Sequence, residues 1–256
     1  MKHRVLYTFL FLLNLFVFSE CNFQVELVQV LMRHGERTPS LDEIKMYPND
    51  RYNVSTYEPW GLGQLTNQGK HTEYQLGQIL RQRYDKLLGS IYYPEDIYAF
   101  STNIDRTKTS LNLMLAGLYP PTSVQMWNPN LAWFPIPTHY APMESNNLLK
   151  YFVCPKYNAI LKDVFGSQEV LDKIAAYTDF FNFLSNKTGT NVTNLSNVKA
   201  IYQLLTAQKA MNLTMPEWYN DKIDQQLENC FALLCDIQSY TTELKRFNGE
   251  LIISAG

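Results

Sequence analysis

The chain has 256 residues, 46% hydrophobic and 18% charged, a balance that excludes intrinsic disorder and allows one large domain or a domain with an insertion. Its 22 Lys and Arg against 24 Asp and Glu leave a formal charge of −2. That near-neutrality excludes nucleic acid or anionic membrane held by bulk charge, so any anion site must come from local clustering of Arg or Lys.

The first 21 residues have the layout of a secretory signal. Lys2 and Arg4 form a short basic start, Val5 to Phe18 is an apolar run broken by Thr8 and Asn14, and Ser19 and Cys21 are small residues placed for cleavage after Cys21. The run is shorter than the ~20 residues a spanning helix needs, so it reads as a leader rather than an anchor. Asn53, Asn186, Asn191, Asn194 and Asn212 each open an Asn-x-Ser/Thr sequon without Pro, in keeping with a glycosylated surface on an exported chain. Cleavage leaves Cys154, Cys230 and Cys235. Disulfide bonding is expected in an oxidising compartment, and the odd count leaves one thiol without a partner within the chain. No second Cys pair or His cluster accompanies them, so no metal site is expected.

Val25 to Leu31, apolar and Val-rich, predicts a buried strand. A loop rich in Pro, Asn and Tyr follows from Pro39 to Gly63. Thr66 is placed to cap a helix reaching Leu88, with Tyr74, Leu76, Ile79, Leu80, Tyr84 and Leu87 as its apolar face and Gly89 as its end. Ile97 to Ser101 predicts a second strand. Asp105 to Leu118 predicts a second helix, stopped before Pro120 and Pro121. This strand–helix–strand–helix order argues for an α/β fold with a parallel sheet. Pro129 to Pro142 reads as a connection. Beyond it, Lys156 to Leu184, Val198 to Met211 and Asp221 to Phe247 read as mainly helical. Asn248–Gly249 then makes a turn, and Leu251 to Ser254 a strand returning to the sheet. The expected organisation is a leader over 1–21, an α/β domain over 22–142, a helical cap over 143–247, and a returning strand over 248–256.

The sharpest chemical signal is Arg33-His34-Gly35-Glu36-Arg37-Thr38-Pro39, directly after the first predicted strand. In open α/β sheets, ligands bind beyond the carboxyl ends of strands. Two guanidiniums flank one imidazole here. Arg presents a rigid fork of donors that matches phosphate oxygens, and imidazole can attack phosphorus and carry the phosphoryl group. Gly35 lets the backbone come close to a ligand or take an unusual φ. The other candidates are structural on this reading. His71 lies on the exposed side of the first helix. His139, in the Pro-rich connection, suits a hydrogen bond that supports the fold. Glu36 and Asp105 are expected in ion pairs with their Arg neighbours, because a carboxylate beside Arg is a poor acid.

The motif resembles the R-H-G-x-R-x-P signature of the histidine acid phosphatase family, a specific pattern with five fixed positions. The likeness continues. Leu65-Thr66 with Gly69, Leu76-Gly77 and Leu80-Arg81 resemble the family's first helix. Ser101-Thr102 with Asp105-Arg106-Thr107 resembles the segment that supplies a third phosphate-binding Arg. Trp127-Asn128-Pro129 and Pro135-Ile136-Pro137-Thr138-His139 resemble the connection into its cap. The resemblance covers most of the mature chain, more thinly after Pro155.

The resemblance implies an open, mostly parallel sheet flanked by helices, with a helical cap insertion, as in phosphoglycerate mutase-like folds. It implies an acid phosphatase acting on small-molecule phosphate monoesters through a phosphohistidine. His34 would be the nucleophile, and Arg33, Arg37 and Arg106 would bind phosphate. It implies no metal and no cofactor, a secreted or lysosomal location, and no membrane in the mature chain, and it allows a homodimer. The family also carries a His-Asp dipeptide whose Asp protonates the leaving group. Here Leu251 to Ala255 is followed by Gly256, and no His-Asp dipeptide occurs, so the expected general acid has no counterpart in this sequence. Two rival readings follow: a catalytically impaired secreted glycoprotein that keeps the phosphate-binding fold, and an inositol-polyphosphate phosphatase of phytase type.

Overall fold

The computed structural model describes residues 24–142, 144, 146, 149 and 151–250. The leader expected over 1–21 and the strand expected over Leu251–Ser254 lie outside those residues. Residues 24–30 form a unit of their own and carry no helix or strand. The strand expected over Val25–Leu31 is therefore corrected: Leu27 is 67% exposed and Leu31 70%. A strand of the parallel kind needs cover on both faces. Among the described residues the only strands pair with each other.

Those strands are β1 (Phe100–Thr102) and β2 (His139–Ala141), parallel, with Phe100 opposite His139 and Thr102 opposite Ala141. β1 realises the strand expected over Ile97–Ser101, shortened and shifted. β2 lies inside the stretch read as pure connection. Its first residue is drawn into the ladder because the His139 N–H donates to the Ala99 carbonyl at 2.8 Å. The His139 ring stacks on Tyr98 with centroids 4.9 Å apart.

Helices fill most of the remainder. The stretch Pro39–Gly63, expected as loop, contains α1 (Leu41–Lys45) and a 3-10 turn at Val54–Tyr57. Ser40 and Glu43 form a capping box that nucleates α1, a Ser-x-x-Glu signal that composition hid behind Pro and Tyr. α2 (Asn67–Leu88) is capped by Thr66 and closed by Gly89, and α3 spans Asp105–Leu118, both as expected. The contact face of α2 differs from the expected one. Leu76 and Leu80 do pack inward, but Ile79 is 59% exposed, and the buried residues are Gly69, Glu73 and Gly77. The reason is close helix packing. A Cβ on Gly77 would overlap the Met114 carbonyl of α3, and one on Gly117 would overlap the Tyr74 carbonyl of α2. The two backbones meet at glycines, which turns the leucines to the flanks of the contact.

The helical half holds α4 (Pro155–Phe165), α5 (Gln168–Ala175), α6 (Thr178–Thr188), α7 (Leu195–Ala210), α8 (Asp221–Gln238) and α9 (Thr242–Lys245). Lys156–Leu184 is thus three helices, broken at Gly166-Ser167 and at Tyr177. Asn248–Gly249 lies in a π-helical turn over Arg246–Glu250 instead of a β-turn. The Asn248 amide donates to the Gln238 carbonyl at 2.8 Å, which keeps the chain coiled back on α8.

Two apolar cores result among the described residues. One is centred on Leu111, Met114, Leu115 and Leu118 of α3, with Tyr92 and Tyr119. The other joins α4 to α9 and takes in Tyr47, with Ile44 packed against it, so α1 is seated on the helical half. Among the described residues, Cys154, Cys230 and Cys235 form no disulfide with one another. Burial pushes the Cys230 thiol up to about 12, so it stays protonated and inert. No helix among the described residues is long and apolar enough to cross a membrane.

Candidate active site

The motif segment is zipped onto the loop before α2. The Thr38 N–H donates to the Gln64 carbonyl at 2.9 Å, the Thr66 N–H to the Glu36 carbonyl at 3.0 Å, and the Gly63 N–H to the Pro39 carbonyl at 2.9 Å. The Thr38 hydroxyl adds a bond to the Gly61 carbonyl at 2.6 Å. Thr38 is fully buried, so this lattice of bonds is shielded from water. A Cβ on Gly35 would overlap the Gly69 carbonyl, and one on Gly69 would overlap the Glu36 backbone. Gly35 is thus needed for close approach to α2. Its N–H donates to the Ser110 hydroxyl of α3 at 3.3 Å.

His34 sits beside this seat. Its Nδ1 is 2.8 Å from the Gly35 carbonyl. A carbonyl can only accept, so this bond assigns the proton to Nδ1 and leaves Nε2 with the lone pair. Burial lowers the pKa of His34, and the charges of Arg106, Arg33 and Arg37 push the same way against the Gly35 bond, to about 4. The imidazole is therefore mostly neutral above about pH 4, with its Nε2 lone pair open.

The charges of all three arginines singled out by the motif and its companion segment thus bear on His34. Arg106 stands in the first turn of α3, just past the carboxyl end of β1. Gly63 leaves room for it, with Nη1 3.5 Å from where a Cβ would be. Its Nε is buried without a partner. Arg33 is exposed. Arg37 is 9% exposed and deeply engaged. Its Nη1 donates to the Thr38 carbonyl at 3.0 Å and to Glu43 Oε2 at 2.8 Å, and its Nη2 to Glu43 Oε1 at 2.5 Å. Its Nε, too, is buried without a partner.

Glu43 was not visible as a site residue in the sequence. Burial would raise its pKa, but the Arg37 fork and the Ser40 N–H hold it below the usual range. The expectation for Glu36 and Asp105 is corrected. Neither is in an ion pair with its Arg neighbour; Asp105 is exposed at the start of α3, where a carboxylate suits the helix dipole. The Glu36 side chain is instead near Glu73, which is 3% exposed, and each carboxyl has one buried oxygen without a partner. Burial and the Glu36 charge raise the Glu73 pKa to about 7.

This raised carboxyl makes stability depend on pH. The unfolded chain releases the Glu73 proton near its ordinary value of 4.5, while the folded chain holds it to about 7. The contribution is complete below pH 4.5 and is lost as pH rises through 7. Glu73→Gln should flatten the stability profile between pH 5 and 8 and leave the variant more stable than the parent at pH 8. Urea melts across that range read this directly, and parallel curves for the two chains would refute it.

The profile described as "Histidine phosphatase superfamily (branch 2)" matches residues 24–234. The chain is 37% identical over 227 residues to the venom acid phosphatase Acph-1 of Apis mellifera, covering 88% of this chain and 58% of that protein. It is 36% identical over 202 residues to the lysosomal acid phosphatase of Homo sapiens, covering 78% and 47%. The chain thus spans about half the length of the curated relatives it matches. Among solved structures, a phytase of Hafnia alvei in complex with myo-inositol hexakis sulphate superposes with a TM-score of 0.64 at 17% identity, covering 93% of this chain and 66% of that one. That likeness speaks for the α/β fold alone.

Proposed function

Since the chain belongs to branch 2 of the histidine phosphatase superfamily, we propose that it carries the phosphate-binding and nucleophilic half of an acid phosphatase site, acting on phosphate monoesters through His34. One observation carries the reading: the buried, unpartnered Nε–H groups of Arg37 and Arg106, on arginines whose charges bear on His34. Buried donors are almost always satisfied. Two left open beside a neutral imidazole suit an oxyanion.

The chemistry follows from these groups. Arg33, Arg37 and Arg106 hold the non-bridging oxygens and spread their charge. The Nε2 lone pair of His34 attacks phosphorus; the N–P bond forms as the ester P–O bond breaks, and the leaving oxygen departs with the bonding pair. The Nδ1 bond to Gly35 keeps the ring oriented while its positive charge develops. Water then attacks phosphorus, the N–P bond breaks, and phosphate is released with His34 restored. An aryl ester such as p-nitrophenyl phosphate needs no proton on its leaving group, so it probes these residues most directly.

Relatives named venom and lysosomal acid phosphatases, at 36–37% identity, favour simple monoesters over inositol polyphosphates. The same names support a secreted or lysosomal destination, reached through the leader. The five sequon asparagines are all exposed, which supports their glycosylation.

Arg106 supplies the test. Its side chain makes no ion pair and has an open donor, so Arg106→Ala should cost little stability but weaken inorganic phosphate or vanadate by about 10- to 100-fold, the worth of a charge-assisted bond or two. Calorimetric titration measures it, and unchanged anion affinity would place Arg106 outside the site.

A further inference from the structure

Arg37 has five N–H donors in a planar fork, and three of them are spent. Both hydrogens of Nη1 go to Thr38 and Glu43, and one hydrogen of Nη2 goes to Glu43. The two that remain are the Nε–H and the second Nη2–H. Nη2 lies on the same side of the guanidinium as Nε, so these two point parallel off one edge. That edge includes the buried, unpartnered Nε.

Resting on the phosphate reading above, we propose that Glu43 is a positioning residue that commits Arg37 to grip phosphate side-on, through Nε–H and Nη2–H. Glu43 occupies the end of the fork, where a free arginine would most readily take a carboxylate or phosphate. Its own carboxylate is pinned in turn: Oε2 also accepts from the Ser40 N–H at 2.8 Å, and the Ser40 hydroxyl accepts from the Glu43 N–H at 3.4 Å. Both partners of the pair are at least nine-tenths buried, so neither swings into solvent. The arrangement leaves Arg37 one rotamer and one usable edge. It also seats that edge on α1, whose Ile44 packs into the helical core, so the clamp is held from the helical half of the chain as well as from the motif.

A positioning role and a simple charge role predict opposite signs. Glu43→Gln removes a negative charge next to the site, which by Coulomb's law alone would tighten anion binding. If Glu43 orients the fork, the same change weakens inorganic phosphate by about 10-fold, because one bond of the pair is lost and its amide hydrogens face the Arg37 donors. Glu43→Asp keeps the charge but shortens the reach, and should also weaken phosphate; it serves if Glu43→Gln does not fold. On the unaltered chain, the Arg37 Nε–H resonance should shift on titration with inorganic phosphate. Phosphate binding with that resonance unmoved, or binding as tight or tighter in both variants, would overturn the proposal. A wild-type chain without affinity for phosphate or vanadate would instead remove the phosphate reading beneath it, and the wild-type titration alone tells the two failures apart.

Discussion

With His34 replaced by alanine, turnover of p-nitrophenyl phosphate should fall by at least about 10⁴-fold, and no phosphoryl group should be retained on the protein. Phosphate-ester hydrolysis has among the highest uncatalysed barriers known, and the covalent route divides it into two displacements. Without the imidazole, water would have to attack directly within the arginine clamp. The clamp itself survives the change, so inorganic phosphate should still bind, and tight binding without turnover separates a lost nucleophile from a lost fold. The wild-type chain has a second signature. With the His34 pKa at about 4, the neutral nucleophile is depleted only below that value, so kcat/KM should fall on the acid side near pH 4. Labelled substrate quenched in alkali reports the phosphoryl protein. Near-normal turnover by the alanine variant would sink the assignment.

The second large effect is structural. Gly77→Leu should cost about 3 kcal/mol or more, the upper end of overpacking penalties, because the added Cβ meets the Met114 backbone rather than a side chain able to turn away. Leucine gains about 0.8 kcal/mol of helix propensity over glycine, which is too little to offset this. Since α3 also carries Arg106, forcing the helices apart should weaken phosphate binding together with stability. Gly166→Ala is the control. That glycine has φ −83° and no atom closer than 3.6 Å to a built Cβ, so the change should be neutral. Thermal melts decide, and equal effects at both positions would show that the helix contact is not where the cost arises.

Much of this was legible in the sequence, and what was not has physical causes. Thr66, Gly89 and the Pro120–Pro121 stop marked both long helices of the first half to the residue, because caps and breakers act through local backbone chemistry. His34, Arg33 and Arg37 are candidates from motif chemistry and Arg106 from the family resemblance, and the structure brings the charges of the three arginines to bear on the one imidazole. Glu43 escaped because its role depends on a five-residue helix nucleated inside a segment whose composition reads as loop. Glu36 and Glu73 escaped because like charges 37 positions apart carry no periodic signal; only the meeting of Gly35 and Gly69 sets them near each other. Val25–Leu31 was misread because apolarity measures a tendency toward burial, not the presence of a neighbouring strand.

The contact between Gly35 and Gly69 has a consequence for how this site can vary. Most tight contacts in proteins join two side chains, so a bulkier residue on one side can be rescued by a smaller one on the other. Here each glycine faces the other segment's main chain. No second-site replacement makes a backbone smaller, and glycine has no smaller substitute. The two positions are thus exempt from ordinary pairwise compensation. A lineage that lost either glycine would have to move the motif segment off α2 altogether, carrying His34 out of register with the arginine in the first turn of α3.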